Sequence, residues 1–140
     1  MKIRLDDVMQ SLSYPYDAAY FYYIPLETVL MFRGGRIFGK AVHDIATLED
    51  VKRRKKDFIA LPDLGEKGRR MVMLGFARTL PEGETRERVH EAASGPDPEN
   101  ALDNVLRDEG LLLNWFNYRD EIYRDFSQKW CEEMGLDWIG

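Results

Sequence analysis

The stretch from Leu111 to Met134, LLLNWFNYRDEIYRDFSQKWCEEM, constrains the fold more than any other part of the chain. Trp115, Ile122, Phe126 and Trp130 recur at helical spacing, and Phe116, Tyr118 and Tyr123 widen the stripe. Asp120, Glu121, Asp125, Lys129, Glu132 and Glu133 fill the opposite side. At ~3.6 residues per turn the pattern predicts one helix of about six turns, spanning 112–134. A helix with so large an apolar face has to be buried along one side, so the rest of the chain must supply its core. Gly135 stands where a left-handed residue stops a helix, and Leu136 can fold back as the hydrophobic contact of that cap.

Arg119 falls on the apolar stripe, four residues after Trp115 and three before Ile122. A cation in such a place needs a partner, because a buried unpaired charge costs several kcal/mol. Two readings follow. In the structural one Arg119 is paired and ties the last helix to an upstream turn or to the hairpin. In the functional one it binds an anion at the mouth of a pocket made by Trp115, Tyr118 and Tyr123.

Upstream, Leu5, Val8, Met9 and Leu12 predict a short amphipathic helix over 6–12, ended by Pro15. Residues 19–24 and 29–33 are rich in aromatic and β-favouring side chains and flank Pro25-Leu26-Glu27-Thr28, which predicts an antiparallel hairpin across 19–33. Neither strand alternates cleanly. A sheet covered on both faces, or completed by a second subunit, accounts for that. Gly34-Gly35 marks a turn, after which 36–38 continues the sheet briefly. Thr47 and Asp50 form a capping box for a helix to about Lys56, and 58–61 reads as a short strand closed by Pro62. Helices follow over 66–80 and 84–93, and a third begins at Asp97 and Pro98 and is closed by Gly110. Strands first and helices afterwards is the order of an α+β fold: a short N-terminal helix and a small antiparallel sheet packed against a C-terminal set of helices.

At 140 residues, with no internal repeat or linker-like segment, the chain is expected to form a single domain, 1–140. The lone Cys131 excludes an intramolecular disulfide and fits a reducing compartment. The charged N-terminus lacks the apolar core of a signal peptide, and no stretch approaches the ~20 apolar residues of a membrane span. A cytoplasmic protein without membrane attachment is therefore expected.

Lys52-Arg53-Arg54-Lys55-Lys56 is the sharpest charge feature. Five consecutive cations can hold the phosphates of a nucleic acid or a phosphorylated partner, or can simply be a solvated helix end favoured by the helix dipole. The net charge of −5 works against generic polyanion binding by the whole molecule, though not by a local patch. No aromatic is interleaved with the run itself, so a stacking platform there is not indicated. The glycines of 34–39 fail the spacings of dinucleotide and phosphate loops. His43 and His90 lack partners at zinc-site spacing, and Cys131 stands beside Trp130 with no histidine near in sequence. No catalytic residue, metal site or cofactor is expected.

Several motifs carry a family resemblance. They are Trp115-Phe116-Asn117-Tyr118-Arg119-Asp120-Glu121, Lys129-Trp130-Cys131-Glu132-Glu133-Met134-Gly135-Leu136, Phe58-Ile59-Ala60-Leu61-Pro62, the pair Met73 and Phe76, and Tyr22-Tyr23-Ile24 with Leu26-Glu27-Thr28. Together they resemble an uncharacterised bacterial protein family, number 0158 in the UPF series. The resemblance implies a fold and a cytoplasmic bacterial protein, and no activity. Where that family has a glycine-rich, basic-aromatic segment, this chain reads Gly95-Pro96-Asp97-Pro98-Glu99-Asn100-Ala101-Leu102-Asp103.

The expectation for function is a non-enzymatic protein-interaction or regulatory domain, self-associating as a homodimer in its simplest form or holding another protein partner. A nucleic-acid-associated regulator using 52–56 is the alternative, and a small-molecule-binding protein or enzyme using Arg119 comes last.

Overall fold

Tyr20 and Tyr22 lie on one face of a strand and Phe21 and Tyr23 on the other, and the fold covers both. The computed structural model describes residues 1–13 and 18–140, so Pro15, expected to end the first helix, lies outside the described residues. The fold is α+β and divides into two compact units, residues 1–63 with 124–140 and residues 64–123.

The first unit runs β1 (Lys2–Arg4), α1 (Leu5–Ser13), β2 (Ala18–Tyr23), β3 (Thr28–Arg33), β4 (Arg36–Ile37), α2 (Leu48–Arg53) and β5 (Phe58–Ala60). Its main sheet has the order β4-β3-β2-β5 and is antiparallel throughout. The hairpin register sets Tyr20 opposite Met31 and Tyr22 opposite Val29, which gathers these side chains on one face. There they join Ile3, Leu5, Val8, Leu61, Cys131 and Leu136 in one apolar cluster. The other face carries Tyr23, Leu30 and Phe32, covered by Ile45 and Val51. Phe21 meets Phe32 and Phe58 edge-on, at centroid distances of 5.7 and 6.1 Å, and Tyr23 stacks on Phe58 at 5.0 Å. Covering elements within the same unit thus account for the two-sided strands, without a second subunit.

The hairpin turns through a 3₁₀ segment, Ile24–Leu26, which accommodates Pro25, and Glu27 then takes a left-handed φ of 47°. Thr47 and Asp50 make the expected reciprocal capping box. The helix it starts is shorter than expected: α2 ends at Arg53, and Lys55–Asp57 is a 3₁₀ turn. One pairing had no counterpart in the sequence pattern. β1 and the final strand, β6 (Asp137–Ile139), form a parallel two-stranded sheet, and Tyr22 donates its hydroxyl hydrogen to the Lys2 carbonyl at 2.8 Å. Strands of three residues are too short to display a period.

The second unit contains α3 (Gly65–Thr79), α4 (Glu84–Ser94), α5 (Pro98–Glu109) and residues 112–123 of α6 (Leu112–Met134). Its core is Met73, Phe76, Ala77, Val89, Ala93, Leu102, Leu106 and Trp115. Asp97, expected as the N-cap of α5, makes no side-chain cap bond and accepts instead from the Asn100 amide at 2.9 Å. Gly110 and Gly135 end α5 and α6 with left-handed φ of 67° and 71°. In each case the residue after the glycine reaches back five positions, Leu111 to Leu106 at 2.8 Å and Leu136 to Cys131 at 2.9 Å, as a Schellman cap does.

The buried face of α6 differs from the expected one. Trp115, Tyr123, Ser127 and Cys131 are buried, whereas Ile122 and Phe126 are 37% and 39% exposed. Ser127 and Cys131 are small and one turn apart, and Cys131 enters the cluster of Ile3, Leu5 and Val8. A pattern built on large apolar side chains marks the flank of such a face and passes over the small residues at its centre.

Candidate interaction surface

The basic run folds as the end of α2 and the 3₁₀ turn after it, and all five cations are exposed. Their tasks differ. Lys52 pairs with Glu49 at 3.4 Å and Arg53 pairs with Asp50, so the first two are spent partly on the acids that start the same helix. Arg54 reaches back to donate to the His43 carbonyl at 2.9 Å. Lys55 and Lys56 make no ion pair among the described residues.

His43 is held for a reason that belongs to the backbone. Val42 and Ile45 exchange both backbone hydrogen bonds, at 3.1 and 2.8 Å, across a two-residue turn in which His43 and Asp44 have φ of 47° and 68°. Consecutive left-handed residues are the mark of a type I′ turn, which favours Asn and Gly. Here the strain is offset by Arg54 on the His43 carbonyl and by a 3.1 Å hydrogen bond between the Tyr23 hydroxyl and His43 Nδ1. Arg54 therefore has a structural task within a run read only as charge.

The structure adds to the run three cations that lie far from it in sequence. Arg33 and Arg36 face each other across the Gly34-Gly35 turn, and Lys40 follows on the same connection. This hairpin is fixed to the start of α2, since Leu48 donates to the Gly35 carbonyl at 2.9 Å and Ile37 to the Ala46 carbonyl at 2.7 Å. Phe38, between Arg36 and Lys40, is 67% exposed. Residues 33–56 contain eight Lys or Arg against three Asp or Glu, a net of +5 in a chain of net −5. The sequence singles out 52–56 as a run and marks Arg33-Gly34-Gly35 only as a turn; a charge count over the whole of 33–56 brings Arg33, Arg36 and Lys40 together with the run.

The second candidate group separates. Trp115 and Tyr118 belong to an aromatic cluster with Phe76, whose ring lies 5.5 Å from each. Tyr123 is buried, and burial, countered by Arg119 and Arg69, raises its hydroxyl above the ordinary tyrosine range. Arg119 stands 5.0 Å from the Phe116 ring and 5.7 Å from the Tyr123 ring, and its carboxylate partner is the adjacent Asp120 at 3.3 Å. Among the described residues Arg119 thus meets a neighbour on its own helix and two rings, with no bond to an upstream turn, and at 28% side-chain exposure water supplies the rest of its compensation.

Other basic residues of the second unit serve its frame. Arg70 donates to the carbonyls of Ala93 and Gly95, both at 2.8 Å, and closes the end of α4. Arg88 and the Thr85 hydroxyl converge on Glu109. An open cleft lined by Arg78, Arg86 and His90 also contains Glu82 and Glu87, so its charge is mixed. Cys131 is buried, and burial, with Glu132 adding, raises its thiol above the ordinary range, which suits a packing residue and not a nucleophile. Among the described residues no group of three or more His, Cys, Asp or Glu is placed to hold a metal ion, and no helix is long and apolar enough to cross a membrane.

Comparison of the chain with protein-family models, with curated proteins and with solved structures finds no match.

Proposed function

We propose that this protein is a non-enzymatic interaction domain that holds an anionic partner on the basic face formed by residues 33–56. The observation that carries the reading is that eight exposed cations lie on one hairpin, the loop after it, the short helix α2 and the 3₁₀ turn that follows, with the hairpin bonded to the start of α2, in a molecule otherwise acidic. A local net of +5 in a chain of net −5 attracts an anionic partner to this stretch in preference to the acidic remainder of the sequence. The resemblance to family 0158 of the UPF series, and a bacterial cytoplasmic setting with it, is compatible with this reading and adds no activity to it.

Retention on immobilised heparin, a general polyanion, tests the proposal. The wild-type chain is expected to bind at low salt and to elute as salt rises, and Lys55→Glu/Lys56→Glu, which removes no pairing, is expected to elute markedly earlier. Passage of the wild-type chain through the column at low salt would end the proposal.

Self-association as a dimer is the second reading, and charge segregation favours it. The +5 of residues 33–56 leaves −10 on the remainder, so a second copy carries charge of the sign that residues 33–56 attract. Native mass spectrometry over a range of concentrations separates the two: a dimer that dissociates with salt supports self-association, and a monomer at all concentrations removes it.

A further inference from the structure

We propose that the partner of the basic face is a single-stranded nucleic acid and that Phe38 is the residue on which one of its bases stacks. The inference rests on the reading of residues 33–56 as an anion-binding surface and adds the class of anion.

Phe38 is 67% exposed, more than any other aromatic among the described residues. Its backbone is nonetheless held firmly, since its N–H donates to the Met31 carbonyl at 2.8 Å and the preceding Ile37 N–H to the Ala46 carbonyl at 2.7 Å. The ring therefore projects from a fixed point of the sheet edge and does not belong to a loose end. Arg36 and Lys40 stand two residues to either side of it, exposed and without an ion pair among the described residues. An apolar ring kept in water between cations gains nothing from folding. It gains from a ligand that brings a flat apolar face and an anion together.

A nucleotide with an unpaired base has that chemistry: the base stacks on the ring while the flanking phosphates meet the cations. A duplex hides its base faces, and α2, at six residues, is too short to read a major groove. A wholly electrostatic partner would leave Phe38 without a role.

Fluorescence anisotropy measures the affinity of the folded full chain for labelled oligothymidine or oligouridine of about 15 nucleotides, near the upper limit of common single-strand sites. A duplex of equal length and vesicles of phosphatidylcholine with phosphatidylserine are run beside them. Phe38→Ala, at an exposed position, is expected to lower single-strand affinity about tenfold with the salt slope unchanged. Lys55→Glu/Lys56→Glu is expected to lower affinity and flatten the slope. Equal binding of duplex and single strand with no effect of Phe38→Ala overturns the inference, and so does binding to vesicles alone. Retention on heparin without oligonucleotide binding overturns it while leaving the anion-binding face intact. Failure on both heparin and oligonucleotides overturns both.

Discussion

The hydroxyl oxygen of Tyr118 lies 2.6 Å from the position a Cβ on Gly75 would occupy. The glycine inside α3 is thus the space into which a residue of α6 fits its polar tip, and Tyr118, a candidate ligand-binding residue from sequence, has its place in the packing. Gly75→Ala gains up to about 1 kcal/mol in helix propensity but meets an overpacking cost of about 1–3 kcal/mol. A net loss of about 1 kcal/mol is expected, read as a lower urea midpoint at constant slope. Tyr118→Phe in the same chain removes the oxygen and leaves the ring carbon at 3.7 Å, an ordinary contact. The double variant should then be at least as stable as Tyr118→Phe alone; an undiminished loss would show that the two residues are not coupled.

The buried face of α6 is tested by two truncations. Trp115 is 8% exposed and Phe126 is 39% exposed. Trp115→Ala should cost about 3–5 kcal/mol and Phe126→Ala less than about 2 kcal/mol. Equal costs would restore the face that the large apolar residues alone suggest.

The His43-Asp44 turn should reward the residue its backbone favours. Asp44→Gly is expected to raise stability by about 0.5–1 kcal/mol, because glycine adopts a positive φ without a steric cost. Arg54→Ala should lower it by about 1 kcal/mol through loss of the bond to the His43 carbonyl. Lys55→Ala should leave it unchanged. Thermal melts of the three variants decide this, and a Lys55→Ala loss as large as that of Arg54→Ala would deny Arg54 its separate task.

Much of the architecture is legible in the residues, for reasons that also mark the limits. Thr47 with Asp50, and Gly110 and Gly135, announce helix ends because their chemistry is local. The hairpin at 18–33 follows from its aromatic and β-branched density. The β1–β6 pair was not legible, since it joins residues at opposite ends of the chain through strands without a period. The same holds for the surface. Residues 52–56 stand out as a run, whereas Arg33, Arg36, Phe38 and Lys40 join them only through backbone bonds from Ile37 and Leu48. Arg119 was placed by helical spacing alone, which sets an angle around the helix but not the depth of burial.

Alkaline pH should destabilise the fold in a defined order. Burial raises the Cys131 thiol above its ordinary value in the folded chain, so the unfolded chain loses that proton first. The stability this contributes is full below about pH 9 and is lost as pH rises through the folded value. Tyr22 and Tyr123, also raised chiefly by burial, add the same trend above about pH 10. Cys131→Ala should remove the first part of the decline and keep the second. Labelling of Cys131 by a thiol reagent should be slow in the folded chain and fast in denaturant, and fast labelling under native conditions would contradict its burial.

The central claim is that one face, residues 33–56, is where a partner is held. Titration of a polyanion, a short heparin oligosaccharide, into isotopically labelled protein at low salt, followed by amide chemical shifts, tests it most directly. The account predicts shifts concentrated in residues 33–56, strongest around Arg36 to Lys40 and Lys52 to Lys56, and suppressed together as salt is added. Shifts centred on the Arg78–Arg86–His90 cleft or on Arg119, or none at all, would contradict it.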